Sequence, residues 1–238
     1  MPLGVRLDSM RKRLVIFDLD GTLLDTIADL AAAANYALRE LGYPAHSVDT
    51  IRSFVGNGVN KLLERALPAD KQSDEGVKSM RAHFIPYYNE HNADDSRPYP
   101  GVSELLRTLQ EQGIQVAVAS NKYQQATVKL VKHFFPDICF AAVYGQREGV
   151  SIKPDPTIVS DILSDTGITR AETIYIGDSG VDMQTARNAE VESIGVSWGF
   201  RSVNELLDMY HQLKDYIMFD GRDSKPKNNV LYVRDHYK

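Results

Sequence analysis

The sequence predicts a doubly wound α/β fold, in which helices cover both faces of a parallel sheet, with a small all-helical domain inserted after the first strand. Two observations support this fold class: short apolar runs alternate with segments of helical periodicity, and a long interval after the first run contains no convincing strand. Strands buried on both faces of a parallel sheet read as continuous apolar runs, because neither face meets water. Their alternation with helical segments is typical of an α/β domain.

Six apolar runs are predicted strands. Each is only a few residues long and none alternates polar with apolar residues: 14–17, 114–119, 140–143, 174–176, 193–196 and 216–218. Helical patterns lie between them, at 102–112, 124–134, 156–166, 182–188 and 203–213. This order of strands and helices predicts a Rossmann-like core sheet.

The interval after the first strand carries its own helical signals. Apolar residues recur at helical spacing over 27–41, with Asp25 or Thr26 as the helix N-cap and Gly42 as the stop. The segment 97–101, with two prolines and a glycine, indicates the return of the chain to the core. We therefore expect a core domain at 10–25 and 98–220, a helical cap domain at 26–97 and a polar C-terminal tail at 221–238.

Composition excludes two classes of function. The chain of 238 residues has a net charge of −5, whereas a general nucleic-acid binder needs a surplus of clustered Lys and Arg. No apolar stretch reaches the ~20 residues of a membrane span, and the N-terminus lacks the apolar centre of a secretory signal. We therefore expect a cytoplasmic protein without nucleic-acid or membrane partners. The single cysteine, Cys139, lies in an apolar run and is expected to be a buried structural thiol.

Both ends of the chain leave alternatives open. Met10 is a candidate native start, so residues 1–9 are either native or an extension. The tail 221–238 has five Lys or Arg against two Asp. It is either a solvated terminus or a basic arm with a function.

The strongest motif is LVIFDLDGTLLDT at 14–26, where an apolar strand runs into two carboxylates. Asp18 and Asp20 stand two residues apart and are expected to face the same side, with Leu19 turned toward the interior. Gly21 allows a sharp turn after them. Like charges this close are unfavourable unless a cation or a proton separates them. Alone, the motif is also consistent with an acidic turn that ends a strand.

Two weaker motifs supply groups that suit a phosphate. Ser120 and Asn121 follow a buried strand, and a hydroxyl and an amide can donate to phosphate oxygens, although Ser-Asn also caps many helices. Lys153 precedes a proline in a loop and can reach inward as a point charge, although a lysine facing solvent is the usual case. Neither motif alone specifies a site.

A fourth motif, TIYIGDSGVDM at 173–183, again ends a strand in acidic residues. Asp178 and Asp182 offer oxygen ligands that suit Mg²⁺, and Asp182 is equally consistent with a first-turn carboxylate that stabilises a helix N-terminus. In a doubly wound sheet, ligands bind outside the carboxyl ends of the strands where strand order reverses. If the first strand is central, all four motifs converge on one crevice.

The motifs resemble those of the haloacid dehalogenase superfamily and stand in its motif order: DLDGT at 18–22, Ser120-Asn121, Lys153-Pro154 and GDSGVD at 177–182. The resemblance covers the chain to about residue 220, and the helical insertion is similar to the superfamily's small cap. The sequence is most similar to the phosphoglycolate phosphatase branch, in DLDGTLLDT, FVGNGVNKLL at 54–63 and VSWGFRS at 196–202. One departure is Glu190, where the branch usually has glycine, and we expect it to affect a helix end rather than the chemistry.

The resemblance implies a Mg²⁺-dependent phosphohydrolase that acts on small phosphate monoesters through an aspartyl-phosphate. Asp18 is the implied nucleophile, and Asp20 the implied general acid and base. The implied ligands of Mg²⁺ are Asp18, the backbone carbonyl of Asp20, and Asp178, with Asp182 contributing directly or by ordering a water. The implied phosphate-binding residues are Gly21, Thr22, Ser120, Asn121 and Lys153. The implied substrate loop of the cap contains Gly56, Asn57 and Gly58, whose glycines are equally consistent with a tight turn.

Other functions remain open on the same scaffold. A phosphosugar mutase passes the phosphoryl group to a second hydroxyl instead of water, and an inorganic pyrophosphatase is a third possibility. In a non-catalytic phosphate-binding module we would expect another residue in place of at least one of Asp18, Asp20, Lys153 or Asp178, and all four are present. We expect a small phosphorylated metabolite as the partner, and a monomer or a homodimer.

Overall fold

The computed structural model describes residues 12–202, 204–206 and 217–219. Residues 1–9, the tail at 221–238 and most of the predicted helix at 203–213 lie outside the described residues. No helix in the described part of the chain has both the length and the apolar character needed to span a membrane.

Six parallel strands form the core sheet, in the order β5-β4-β1-β6-β7-β8. Their bounds are β1 Leu14–Phe17, β4 Gln115–Tyr123, β5 Phe140–Gln146, β6 Thr173–Gly177, β7 Glu192–Val196 and β8 Ile217–Phe219. Two further strands, β2 Leu24–Asp25 and β3 Arg97–Pro98, form a separate antiparallel pair. All six predicted core strands are confirmed.

β1 lies inside the sheet, between β4 and β6, and all four of its residues are apolar and buried. From β1 the chain passes to β4 and β5 on one side, and then returns to β6, β7 and β8 on the other. The strand order therefore reverses at β1, and the crevice expected at such a reversal lies at its carboxyl end.

Helices cover both faces of this sheet. They are α5 Val102–Glu111, α6 Gln124–Phe134, α7 Thr157–Thr166 and α8 Gly180–Asn188. Leu14 and Ile16 point into an apolar cluster that includes residues of α7 and α8, whereas Val15 and Phe17 point into a cluster with α5 and α6. Successive residues of a strand face opposite sides, so a continuous apolar run serves both clusters.

The segment between β2 and β3 is helical, as the sequence predicts. It comprises α1 Ile27–Glu40, α2 Val48–Phe54, α3 Gly58–Ala66, a 3₁₀ turn at Ala69–Lys71 and α4 Asp74–His91. It has an apolar cluster of its own, in which Leu38, Ile51, Leu63 and Phe84 are fully buried or nearly so. The chain enters and leaves it through the β2–β3 pair, so that a short two-stranded connection joins the helices to the core.

The prediction that Cys139 is buried is wrong, because the thiol is exposed. Cys139 lies just before β5, which is the edge strand of the sheet. Its neighbours Ile138 and Phe140 are partly buried and pack against the core cluster. An apolar run therefore indicates burial at an edge only for alternate residues, because a single face of the chain meets the core.

Glu190 occupies a backbone position that favours glycine. Its φ is +57°, and its N–H donates to the carbonyl of Arg187 at 3.0 Å, just beyond the end of α8. The departure from the phosphoglycolate phosphatase pattern thus falls at a helix end, as expected. A residue with a Cβ pays a steric cost in this left-handed region that glycine avoids.

We expect Glu190→Gly to raise the free energy of unfolding by about 1 kcal/mol, because it removes this backbone strain. The measurement is urea unfolding at constant m-value. Glu190→Ala is the matched control, since it removes the same carboxylate but keeps the Cβ. Equal stabilisation by both variants would assign the effect to charge rather than to the backbone.

Candidate active site

The four predicted motifs converge at the carboxyl end of β1. Asp18 follows β1, Ser120 and Asn121 lie near the end of β4, Asp178 follows β6, and Lys153 comes from the loop before α7. These residues line one cavity of about 60 Å³, which the helical segment between β2 and β3 helps to enclose. The sequence prediction of one shared crevice is confirmed in its geometry.

Lys153 is the central cation of this cavity and is only 2% exposed. Its Nζ lies 2.9 Å from Asp18 Oδ1 and 2.7 Å from Asp182 Oδ1. It also donates to the carbonyl of Ala119 at 2.9 Å and to the hydroxyl of Tyr175 at 3.0 Å. Burial alone would lower the pKa of Lys153, but Asp18 and Asp182 together raise it well above its usual value. The buried group is therefore an ammonium ion.

Three buried carboxylates stand close together in the cavity. Oxygens of Asp18, Asp178 and Asp182 all lie within 4.8 Å of one another. Burial raises the pKa of Asp18 to about 7, Asp182 adds to the rise, and Lys153 opposes it. Burial, followed by Asp182 and Asp18, likewise raises the pKa of Asp178. Repulsion among these carboxylates therefore adds to the effect of burial on both pKa values.

Asp182 is fully buried and both of its oxygens already have protein partners. Oδ2 accepts from the backbone N–H of Ser179 at 3.1 Å and from its hydroxyl at 2.5 Å. Oδ1 accepts from Lys153 at 2.7 Å and from Tyr175 at 3.1 Å. A carboxylate offers about four lone-pair positions, so these contacts use its capacity. Asp182 therefore holds Lys153 and also caps α8, while its role toward a metal stays a prediction.

Asp20 also lines this cavity. Its Oδ1 accepts from the hydroxyl of Thr26 at 2.5 Å and lies 3.1 Å from Nζ of Lys122. Leu19, between the two aspartates, is fully buried, as the alternation predicts. Asp18 and Asp20 thus face the cavity together while Leu19 anchors the loop in the core.

Ser120 and Asn121 hold different positions in the network. The Oγ of Ser120 accepts from the backbone N–H of Lys122 at 3.2 Å, so its own O–H can donate elsewhere. Asn121 donates to the carbonyls of Gly56 and Lys153 at 3.0 and 3.1 Å and accepts from the N–H of Lys153 at 2.8 Å. Its amide therefore fixes the Lys153 loop, and phosphate binding by Ser120 and Asn121 stays a prediction.

Gly21 and Thr22 both contact Asp178. A Cβ at Gly21 would lie 2.3 Å from Asp178 Oδ2, and its φ is +87°, so only glycine fits. The hydroxyl of Thr22 donates to Asp178 Oδ1 at 3.4 Å. Gly199, which the sequence prediction missed, is equally constrained, because its Cβ would lie 2.3 Å from the Cβ of Asp178. The backbone N–H of Phe200 donates to Asp178 Oδ2 at 2.7 Å, which orients this carboxylate.

The predicted substrate loop reaches the cavity in part. Gly56 and Gly58 line it, whereas Asn57 lines a neighbouring, more open cavity. Both glycines have positive φ, +120° and +80°. The two interpretations of these glycines are therefore compatible, because they form tight turns and also face the cavity. Arg201, another residue that the prediction missed, donates to the carbonyl of Val55 at 2.5 Å and so ties this loop to the core.

The chain is similar in sequence and fold to several known proteins. The family model described as haloacid dehalogenase-like hydrolase matches residues 15–196. A phosphoglycolate phosphatase of Psychrobacter arcticus is 33% identical over 234 residues, which cover 92% of this chain and 100% of that protein. A phosphoglycolate phosphatase of Thiobacillus denitrificans is 37% identical over 198 residues, covering 81% and 87%. The crystal structure of a predicted phosphoglycolate phosphatase from Haemophilus somnus has a TM-score of 0.77 at 29% identity, covering 83% and 91%.

Proposed function

Because the chain belongs to the haloacid dehalogenase-like hydrolase family, we propose that it hydrolyses phosphoglycolate through an aspartyl-phosphate on Asp18, with Mg²⁺ as cofactor. Because its relatives are phosphoglycolate phosphatases, the chain is assigned to the phosphoric monoester hydrolases. The observation that carries the finer proposal is the carboxylate of Asp18, which faces the cavity 2.9 Å from the ammonium of Lys153 and beside Asp178. A carboxylate next to positive charge is suited to attack phosphorus.

The proposed reaction has two displacements. An oxygen of Asp18 attacks phosphorus, the ester P–O bond breaks, and Asp20 gives its proton to the departing alkoxide. Asp20, now ionised, then takes a proton from water as the water oxygen attacks the same phosphorus. The bond between Asp18 and phosphorus breaks, which releases inorganic phosphate and restores both carboxyl groups.

Lys153 and Ser120 are the proposed contacts of the phosphoryl oxygens, together with Gly21 and Thr22 of the first loop. Lys153 supplies fixed positive charge, and its four protein contacts hold it in place before substrate arrives. Preorganised donors of this kind stabilise charge that develops in the transition state. Asn121 contributes through the Lys153 loop, which its side chain holds.

The acidic groups fit Mg²⁺ in number and chemistry. Mg²⁺ prefers oxygen ligands and takes only one or two carboxylates. Asp18 and Asp178 meet this need, with the backbone carbonyl of Asp20 as a third proposed ligand. Burial is the main reason that the pKa of both carboxyls is raised, and repulsion from neighbouring carboxylates, which a cation would relieve, adds to it. Bound there, Mg²⁺ would reduce the repulsion between the anionic nucleophile and a dianionic substrate.

The helical segment is the proposed cap, with the domain boundaries expected from the sequence at 26–97. Its contribution to the cavity wall is largely apolar, from Leu30, Val59, Leu62 and Phe84. The cavity is small, about 60 Å³, and we propose that its apolar wall accommodates a compact leaving group.

Phosphate release from phosphoglycolate is expected to require Mg²⁺ and to stop when EDTA removes it. Because burial raises the pKa of Asp18 to about 7, a proton competes with Mg²⁺ for this carboxylate below that pH. The half-saturating Mg²⁺ concentration should rise about tenfold per pH unit on the acid side and level off on the alkaline side. Trp198, the only tryptophan, donates to the carbonyl of Thr22 at 3.1 Å. Its fluorescence therefore offers a measure of Mg²⁺ binding that does not depend on turnover.

The same assay separates the alternatives. The native chain is offered phosphoglycolate, p-nitrophenyl phosphate, inorganic pyrophosphate and glucose 1-phosphate. Conversion of the sugar phosphate to an isomer without phosphate release would replace the proposal with the mutase. Release from pyrophosphate alone would indicate a pyrophosphatase, and binding of phosphate without any turnover would indicate a non-catalytic module.

A further inference from the structure

Lys122 is a second buried cation of the cavity that the proposed reaction does not use. It follows Asn121 near the end of β4, and its side chain is only 4% exposed. Its Nζ lies 3.1 Å from Asp20 Oδ1, donates to the hydroxyl of Tyr88 at 2.7 Å, and stands 4.6 Å from the centre of the Tyr88 ring. The ammonium thus joins the proposed general acid to helix α4.

We propose that Lys122 is a specificity-determining residue that binds a carboxylate on the leaving group of the substrate. This inference rests on the proposed function and deepens it, because it names the group that distinguishes the substrate class. An ammonium has three donor hydrogens. Asp20 and Tyr88 accept two of them, and within the described part of the chain the third remains available to the cavity.

The position of Lys122 matches the position of the leaving group. A general acid lies ~2.6–3.2 Å from the oxygen that it protonates. With Lys122 Nζ 3.1 Å from Asp20, the ester oxygen would lie within roughly 6 Å of the ammonium. The carboxylate carbon of glycolate is two covalent bonds, or about 2.5 Å, from that oxygen. Its oxygens can therefore reach hydrogen-bond distance of Lys122.

The surroundings make such a cation necessary for an anionic leaving group. The cavity wall includes Leu30, Val59, Leu62 and Phe84, and burying an unpaired carboxylate against apolar groups is strongly unfavourable. Lys153 lies beside Asp18 and Asp182 and is already assigned to the phosphoryl oxygens in the proposed reaction, so a carboxylate on the leaving group needs a second cation. Arg201 lines the cavity as well, but it donates to backbone carbonyls of the helical segment.

The test compares phosphoglycolate with ethyl phosphate, which has the same chain length but no carboxylate. The full chain with Mg²⁺ is assayed as native protein and as Lys122→Met. We expect the ratio of kcat/KM for phosphoglycolate to that for ethyl phosphate to fall by about 10- to 100-fold in the variant, mainly through KM for phosphoglycolate. Lys132→Met, which removes an exposed lysine of α6, is the matched control and should keep the native ratio.

Equal losses for both substrates would overturn the inference, because Lys122 would then act only by positioning Asp20. A native ratio near one would also overturn it, and so would loss of the preference in Arg201→Met but not in Lys122→Met. If Lys122→Met does not fold, Lys122→Gln, which keeps a donor for Tyr88 but no charge, is measured in its place with the same criteria. Failure of the native chain to hydrolyse either ester would instead overturn the proposed function itself.

Discussion

Asp18→Asn is expected to lower kcat for phosphate release by about 10⁴-fold or more, while the protein stays folded. An amide has nearly the shape of the carboxylate but cannot attack phosphorus. The measurement is release from phosphoglycolate at saturating Mg²⁺, with circular dichroism as the check on folding. Asp25→Asn is the matched control, because Asp25 is exposed on the neighbouring strand β2 and should keep native turnover. Residual activity within tenfold of native would remove Asp18 from the role of nucleophile.

The same variant is expected to stabilise the metal-free protein at alkaline pH. Burial raises the pKa of Asp18 from 3.8 in the unfolded reference to about 7, with Asp182 adding to the rise. Between these two values the unfolded chain releases the proton of Asp18 while the folded protein keeps it, so the folded protein loses stability as pH rises toward about 7. Asn removes this loss, so the stability advantage of Asp18→Asn should grow between pH 3.8 and about 7 and then level off. Urea unfolding in EDTA across this range measures it, and a constant difference would contradict the buried-charge interpretation.

Lys153→Met is expected to destabilise the metal-free protein by about 3–5 kcal/mol and to lower kcat by about 10²–10³-fold. The apolar side chain leaves Asp18 and Asp182 buried without their shared cation. Asn121 keeps its backbone contacts with residue 153, so the loop itself should remain in place. Urea unfolding in EDTA and phosphate release are the two measurements, with Lys132→Met as the exposed control.

A second substitution separates charge from shape at this site. Asp182→Asn removes one of the two carboxylates that Lys153 neutralises. In the double variant Lys153→Met/Asp182→Asn we expect stability to recover by roughly 1–3 kcal/mol relative to Lys153→Met alone, without recovery of activity. Strictly additive losses would mean that the two side chains do not act as a pair, in contradiction to their 2.7 Å contact.

The core sheet could be predicted from the sequence because its signal is local. The run 14–17 is apolar throughout, and both faces of β1 are indeed buried. Each motif residue then follows a recognisable strand, so that a sheet order with β1 in the middle suffices to bring the motifs together. The helical segment could also be predicted from the sequence, since its apolar residues recur at helical spacing.

The contacts of Lys122 and Asn121 could not be predicted from the sequence in the same way. Lys122 stands at the end of an apolar strand, where a lysine usually marks the return to solvent, and its partner Tyr88 is 34 positions away in sequence. The motif implies a phosphate ligand at Asn121, which stays a prediction, but it does not indicate that the amide also contacts the backbone of Gly56 and Lys153. Such contacts depend on how the helical segment packs against the core, which no local pattern specifies.

The edge of the sheet shows a second limit. The run that includes Cys139 has the composition of a buried strand, yet Cys139 lies just before the edge strand β5 and is exposed, while its neighbours Ile138 and Phe140 pack against the core. Strand position within a sheet is a property of the whole topology, so apolar composition alone overstates burial at edges.

The covalent intermediate offers the most direct test of the proposed mechanism. The native chain is mixed with phosphoglycolate and Mg²⁺, quenched in acid during turnover, and its peptides are examined by mass spectrometry. We expect one phosphoryl group on the carboxylate of Asp18, absent when EDTA is present and absent in Asp18→Asn. Turnover at the native rate with no phosphoryl group on any peptide, or with the group on a residue other than Asp18, would contradict the assignment of Asp18 as the nucleophile.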